Sequence, residues 1–141
     1  NDNRSSLLLK RVFGLLKNNI NNKKICFLGV TFKANTDDMR DSSSLSMIPS
    51  LVKKGAMINY YDPTGKKKEF KNLRNVFFSN SIKAAIKDSD LIIIHTEWND
   101  FKSINFKKFV KNKKFILFDM RNIYSSSKMK SQNIKYYGVG R

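Results

Sequence analysis

Cysteine, histidine and proline are scarce in this chain: one cysteine (Cys26), one histidine (His95) and two prolines among 141 residues. A single cysteine excludes an internal disulfide and fits a reducing compartment. Cys26 lies inside the apolar run Lys24-Ile25-Cys26-Phe27-Leu28 and reads as a small buried hydrophobe. His95 has no cysteine, acid or second histidine at ligand spacing, so no metal site is expected. Long apolar runs are also missing. None reaches the ~18–20 residues that a membrane span needs. Leu7-Leu8-Leu9 is too short for the apolar core of a signal peptide. The reading is a cytoplasmic protein without a membrane partner, one domain around one core.

Acidic residues are the next shortage: 11, against 28 Lys and Arg, for a net charge of +17. That excess raises nucleic acid as a partner. The lysines, however, run through every segment, and Asn and Ile are abundant with them, which marks a compositional bias of the whole sequence. The aromatics fall in strand-like runs, not between basic residues as a stacking platform. The expectation is weak, salt-sensitive adsorption and no specific nucleic acid. A further absence concerns glycine. A dinucleotide-binding fold needs G-x-G-x-x-G after its first strand, and only Gly29 stands there. Asp62 ends the second strand, where an acid holds a ribose in such folds, but Asp62-Pro63 reads more simply as a strand-ending turn.

What is present is an alternation of strands and helices. Residues 1–22 read as a helix, with Leu8, Leu9, Val12, Phe13, Leu15, Leu16 and Ile20 on one broad apolar stripe. Residues 23–30 form the first strand. Residues 42–54 form a helix ended by Gly55, with a kink expected near Ile48-Pro49. Strands follow at Met57–Tyr61 and Val76–Phe78, separated by a basic, solvated, irregular excursion over 64–75. Ser79-Asn80-Ser81 caps a short helix ending near Lys87. Leu91–Ile94 is a continuous apolar run of the kind found in central parallel strands. A short helix over 105–111, a strand at Phe115–Phe118, a helical turn at Ser125–Ser131 and a last strand at Ile134–Val139 complete the chain. The fold class is α/β: a Rossmann-like, mostly parallel sheet with helices on both faces, one domain plus an N-terminal helix.

The stretch from Gly29 to Ser43, Gly-Val-Thr-Phe-Lys-Ala-Asn-Thr-Asp-Asp-Met-Arg-Asp-Ser-Ser, joins the first strand to the next helix. Open α/β sheets place ligands at such strand ends. A serine-rich helix start with basic side chains nearby reads as an anion site. Lys33 alone reads as a solvated loop lysine, Arg40 as a local ion pair shaping the loop after Asp37-Asp38, and Arg121 as paired with Asp119 or another loop carboxylate. Yet Lys33 and Arg121 each follow a strand and so share one sheet edge.

The same stretch resembles the opening of the third, UDP-binding domain of the UDP-glucose/GDP-mannose dehydrogenase family. The family's run there is Gly, Leu or Val, Thr or Ala, Phe-Lys, two free positions, Thr-Asp-Asp, a free position, Arg, Asp or Glu, Ser. Thr96-Glu97-Trp98 and Asp119-Met120-Arg121-Asn122 match two further signatures, and the resemblance extends over about residues 23–141. Among subfamilies it is most similar to the bacterial UDP-glucose 6-dehydrogenases. The resemblance implies that Phe32 and Lys33 contact the UDP-sugar, that Arg121 meets its UDP part, and that Arg40 reaches toward NAD in an interdomain cleft. Glu97 and Trp98 are read as ordering the cleft-side loop. It further implies that residues 1–22 end a helix from a missing central domain, that a missing N-terminal domain holds most of the NAD, and that the full-length enzyme is a homodimer oxidising UDP-glucose to UDP-glucuronate. The family's cysteine nucleophile belongs to that missing half, Cys26 lies on the wrong element to replace it, and no catalytic residue is assigned here. Two alternatives stay open: another nucleotide sugar (UDP-N-acetylhexosamine or GDP-mannose), or a non-enzymatic basic module that binds anionic polymer.

Overall fold

The computed structural model describes residues 2–141. Six strands form one sheet: β1 (Lys24–Leu28), β2 (Met57–Tyr61), β3 (Val76–Phe78), β4 (Leu91–Ile94), β5 (Ile116–Asp119) and β6 (Lys135–Gly138). Their order is β3-β2-β1-β4-β5-β6, and every neighbouring pair is parallel. The expected mostly parallel sheet is wholly parallel among the described residues. β4 is buried at all four positions, as its unbroken apolar run requires of a strand covered on both faces.

The period of two along each strand sorts the core into two layers. Ile25, Phe27, Ile58, Tyr60, Leu91, Ile93 and Phe118 face one layer, with α1 (Asp2–Leu15) and α2 (Ser44–Lys53). Cys26, Leu28, Ile92, Ile94, Leu117 and Tyr136 face the other. That second layer is covered by α3 (Ile82–Ile86), α4 (Phe106–Phe109) and α5 (Ser126–Ser131). Burial of each large apolar side chain contributes roughly 1.5–3 kcal/mol. Cys26 is buried and free, and burial pushes its thiol far above the usual range.

Two expectations need correction. The N-terminal helix stops at Leu15 and does not reach residue 22, because Lys17 and Asn18 take left-handed backbone angles. Its apolar stripe still closes on this domain: Leu8, Val12, Leu16 and Ile20 are buried in the first layer, and the Arg11 guanidinium donates to the Gly138 carbonyl (3.0 Å) and lies over the Phe118 ring. The excursion over 64–75 is not simply solvated. Phe70 packs edge-on to Tyr60, the Lys67 N–H donates to the Tyr60 hydroxyl, and the buried Lys67 ammonium donates to the Thr64 hydroxyl. As expected, α2 carries Pro49 in its interior.

Candidate functional site

In this strand order the winding reverses between β1 and β4, and the crevice at their carboxyl ends is where open sheets take ligands. Here the chain itself fills it. Gly29 has φ +80°, and a Cβ built on it would lie 2.6 Å from Thr96 Cβ. The Thr96 hydroxyl donates to the Thr31 carbonyl at 3.1 Å. These contacts draw the loops after β1 and β4 close together where a dinucleotide fold carries its glycine pattern.

The loop that follows β1 is pinned from below. The Val30 N–H donates to Asp62 Oδ2 at 2.8 Å, while Asp62 Oδ1 accepts from the Thr64 N–H (2.9 Å) and hydroxyl (2.5 Å). Asp62 is 1% exposed and spends its lone pairs on the chain. It is an anchor, as the strand-ending turn suggested. The Val30 carbonyl accepts from the hydroxyls of Ser42 and Ser44, both at 2.6 Å, which brings the two ends of the loop together.

His95 braces the same region. Its Nδ1 is 2.9 Å from Thr96 Oγ1 and its Nε2 2.8 Å from Ser43 Oγ. Because the Thr96 proton goes to the Thr31 carbonyl, Thr96 Oγ1 accepts from His95 Nδ1–H, and Nε2 accepts from the Ser43 hydroxyl. Burial, then the nearby Arg121 charge, pushes His95 down to about 3. It is a neutral structural link at physiological pH. The helix start expected as an anion site is likewise turned inward: the Ser44 N–H donates to the Ser42 hydroxyl, and the Leu45 and Ser46 N–H groups to the Ser42 and Ser43 carbonyls.

Arg121 and Phe32 do come together. The Arg121 Nε–H donates to the His95 carbonyl at 3.0 Å, Nη2 donates to the Phe32 carbonyl at 3.3 Å, and Glu97 Oε2 lies 3.1 Å from Nε. One guanidinium thus ties the ends of β1, β4 and β5. Its carboxylate partner is Glu97; Asp119 instead accepts from the Arg121 and Tyr124 N–H groups and the Tyr136 hydroxyl, and so shapes the turn after β5. Asn122, left-handed at φ 54°, trades two hydrogen bonds with the Val139 backbone. Phe32 is 45% exposed, and Lys33 is exposed beside it. Arg40 stands apart. Its guanidinium grips Asp38 through two bonds of 3.0 Å, and its side chain is 88% exposed. That pair holds the Asp38 carboxyl below the usual carboxylate range. The local ion-pair reading of Arg40 describes what it does within this chain.

Residue reasoning left Asp62 as a mere turn and gave His95 no partner. The local signals were slight, an acid directly after a strand and a threonine next to the histidine; the partners Val30 and Ser43 lie 32 and 52 positions away. The arrangement at this edge is a basic rim with Phe32 and Lys33 exposed and Arg121 partly exposed beside them. Such a rim offers point-charge and forked donors to a phosphate-bearing ligand.

A family profile described as the UDP-glucose/GDP-mannose dehydrogenase family, UDP binding domain, matches residues 26–126. A UDP-glucose 6-dehydrogenase of Rhizobium meliloti (strain 1021) is 34% identical over 142 residues, covering 100% of this chain and 32% of the relative. One from Rickettsia felis is 36% identical over 143 residues, covering 99% and 32%. The chain spans about a third of the length of these curated relatives. Among solved structures, a UDP-glucose dehydrogenase from Pyrobaculum islandicum superposes with a TM-score of 0.78 at 23% identity, over 99% of this chain and 30% of that one. An NDP-N-acetyl-D-galactosaminuronic acid dehydrogenase from Methanosarcina mazei Go1 does so at 0.79 and 20% identity, over 98% and 29%. At that identity the likeness concerns the fold.

Proposed function

We propose, from the premise that this chain belongs to the UDP-glucose/GDP-mannose dehydrogenase family through its UDP-binding domain, that it is the nucleotide-holding part of an NAD-dependent enzyme converting UDP-glucose to UDP-glucuronate. The observation that carries the reading is the Arg121 guanidinium, anchored at Nε and Nη2 with its side chain 30% exposed, on the same sheet edge as Phe32 and Lys33. In this reading Lys33 gives a compact charge to a phosphate oxygen, Arg121 forks onto the diphosphate or nucleoside oxygens, and Phe32 contacts the nucleotide through its backbone and ring. None of the three takes part in bond making. Binding energy from the unreactive nucleotide holds the sugar's C6 in register for chemistry done elsewhere in the enzyme.

NAD supplies the hydride acceptor. Segments other than this chain hold most of it; the lack of a G-x-G-x-x-G run after β1 supports this. Arg40, on the exposed face of the loop, is the residue that would meet NAD there, after releasing or sharing Asp38. Residues 1–22 lead from a preceding central domain, residues 23–141 form the UDP-binding domain, and the whole enzyme is a cytoplasmic homodimer with no specific nucleic acid partner. The length of the relatives supports the further domains, and the single free cysteine fits a reducing compartment.

The test is calorimetric titration of the purified chain with UDP, UMP and uridine. Two charged contacts at a solvated rim give millimolar to high-micromolar affinity for UDP. Arg121→Ala should weaken UDP more than uridine, and Arg121→Lys should restore only part of it because the fork is lost. Equal affinity for UDP and uridine in the unaltered chain would overturn the reading.

A further inference from the structure

Arg121 has five N–H donors, and the chain uses the Nε side of the fork: Nε–H on the His95 carbonyl and Nη2 on the Phe32 carbonyl. Nη1 has no protein partner among the described residues. Two neutral carbonyls accept from that side without neutralising its charge, and a third group is present. The Glu97 carboxylate sits 3.1 Å from Nε, with side-chain exposures of 30% for Arg121 and 41% for Glu97. A carboxylate placed within reach of a proposed anion-binding guanidinium is an electrostatic liability, since it repels the same phosphate that Arg121 attracts. Its position against the guanidinium suits a compensating role.

We infer that Glu97 is a positioning residue: it holds the Nε side of Arg121 so that the Nη1–Nη2 edge is presented, already oriented, to the diphosphate of the nucleotide. The inference rests on Arg121 being a nucleotide contact, as proposed above, and adds what makes it an effective one. A free arginine carries much rotamer entropy, and ordering it upon binding subtracts from affinity. Glu97 comes from the end of β4, which is buried at all four positions, and is followed by the buried Trp98, so its backbone is fixed by the core. The end of β4 thereby orients a side chain delivered by the end of β5. Glu97 touches no reacting atom; it acts through Arg121.

The sign of the effect separates this role from plain electrostatics. Glu97→Gln removes a negative charge from the rim, so charge alone would tighten UDP. Loss of orientation would weaken it. Glu97→Asp keeps the charge but is one methylene short, so charge alone predicts no change while loss of orientation again predicts weakening. The experiment titrates UDP and uridine into the unaltered chain, E97Q, E97D and R121A, and follows the Arg121 Nε–H resonance by nitrogen-edited NMR. We expect E97Q and E97D to weaken UDP by about 3–10-fold, equivalent to roughly 0.6–1.4 kcal/mol, with uridine unaltered and the Nε–H resonance losing its protection from solvent exchange. A merely structural role would lower the urea midpoint without separating UDP from uridine. UDP affinity that rises or stays the same in E97Q, while R121A weakens it, overturns the positioning role alone. If R121A leaves UDP affinity unaltered, the nucleotide role of Arg121 fails and the inference falls with it.

Discussion

Asp62 offers the sharpest perturbation of the scaffold beneath the rim. Its carboxylate accepts from the Val30 N–H at 2.8 Å and from the Thr64 N–H and hydroxyl at 2.9 and 2.5 Å. Hydrogen bonds to a charged group contribute about 1.5–3 kcal/mol each, and leaving a buried donor without an acceptor costs about 1–3 kcal/mol. Val30 is fully buried, so water does not replace the lost acceptor. Part of the loss at Thr64 is recovered by solvent, since those bonds are only partly buried. Asp62→Ala should therefore lower stability by about 3–5 kcal/mol, against a typical total of roughly 5–15 kcal/mol. Asp62→Asn is nearly isosteric but should be almost as harmful, at about 2–4 kcal/mol, because its NH2 must face either Val30 or Thr64, both donors. The assay is urea unfolding followed through Trp98, the one tryptophan, which sits buried just past β4. The freed loop should also weaken UDP. A loss under about 1 kcal/mol in both variants would refute the anchoring argument, and a selective loss of nucleotide affinity at unaltered stability would return Asp62 to the ribose-binding role that the geometry denies it.

Four further outcomes are expected. His95 is held neutral down to about pH 3, well below its unfolded value of about 6.5; its contribution is fully present above that unfolded value and is lost as pH falls toward the folded one, so the stability of the unaltered chain should fall more steeply from pH 6.5 to 4 than that of His95→Gln, and parallel curves would contradict the assignment. Gly29→Ala places a methyl 2.6 Å from Thr96 Cβ at φ +80°, and should cost about 2–4 kcal/mol in urea unfolding; a neutral result would mean that the loops after β1 and β4 are not drawn together as described. Pro49→Ala restores a helical donor within α2 and should raise the urea midpoint, by about 1–2 kcal/mol in stability, with no gain being the contrary result. Purified alone, the chain should form no NADH from UDP-glucose and NAD, because it carries neither a dinucleotide fingerprint nor a nucleophile loop; NADH formation above a buffer control would disprove this.

The sheet was legible because its signals are local and periodic. Leu91–Ile94 could only be a covered strand, and Asp62-Pro63 marked the end of the strand Met57–Tyr61. The end of α1 was misread because Leu16 and Ile20 keep helical spacing, whereas the backbone turns left-handed at Lys17 and Asn18 and buries both by another path. Phe70 was hidden by the lysines around it; its partner Tyr60 lies across a turn, which spacing does not report. At the site, the residues on the rim were legible through a long motif. The groups that hold them were not, because Asp62 with Val30, His95 with Ser43 and Arg121 with Phe32 are separated by 32, 52 and 89 positions and meet only once the parallel strands align their ends.

The central claim is that this sheet edge holds a nucleoside diphosphate. Its most direct test is an amide-shift map of the isotope-labelled chain during UDP titration. We expect saturable shifts at Thr31–Lys33, at His95–Glu97 and at Arg121–Asn122, abolished by Arg121→Ala and weaker with uridine. Shifts centred on residues 64–75, or a map that Arg121→Ala leaves unaltered, would contradict it.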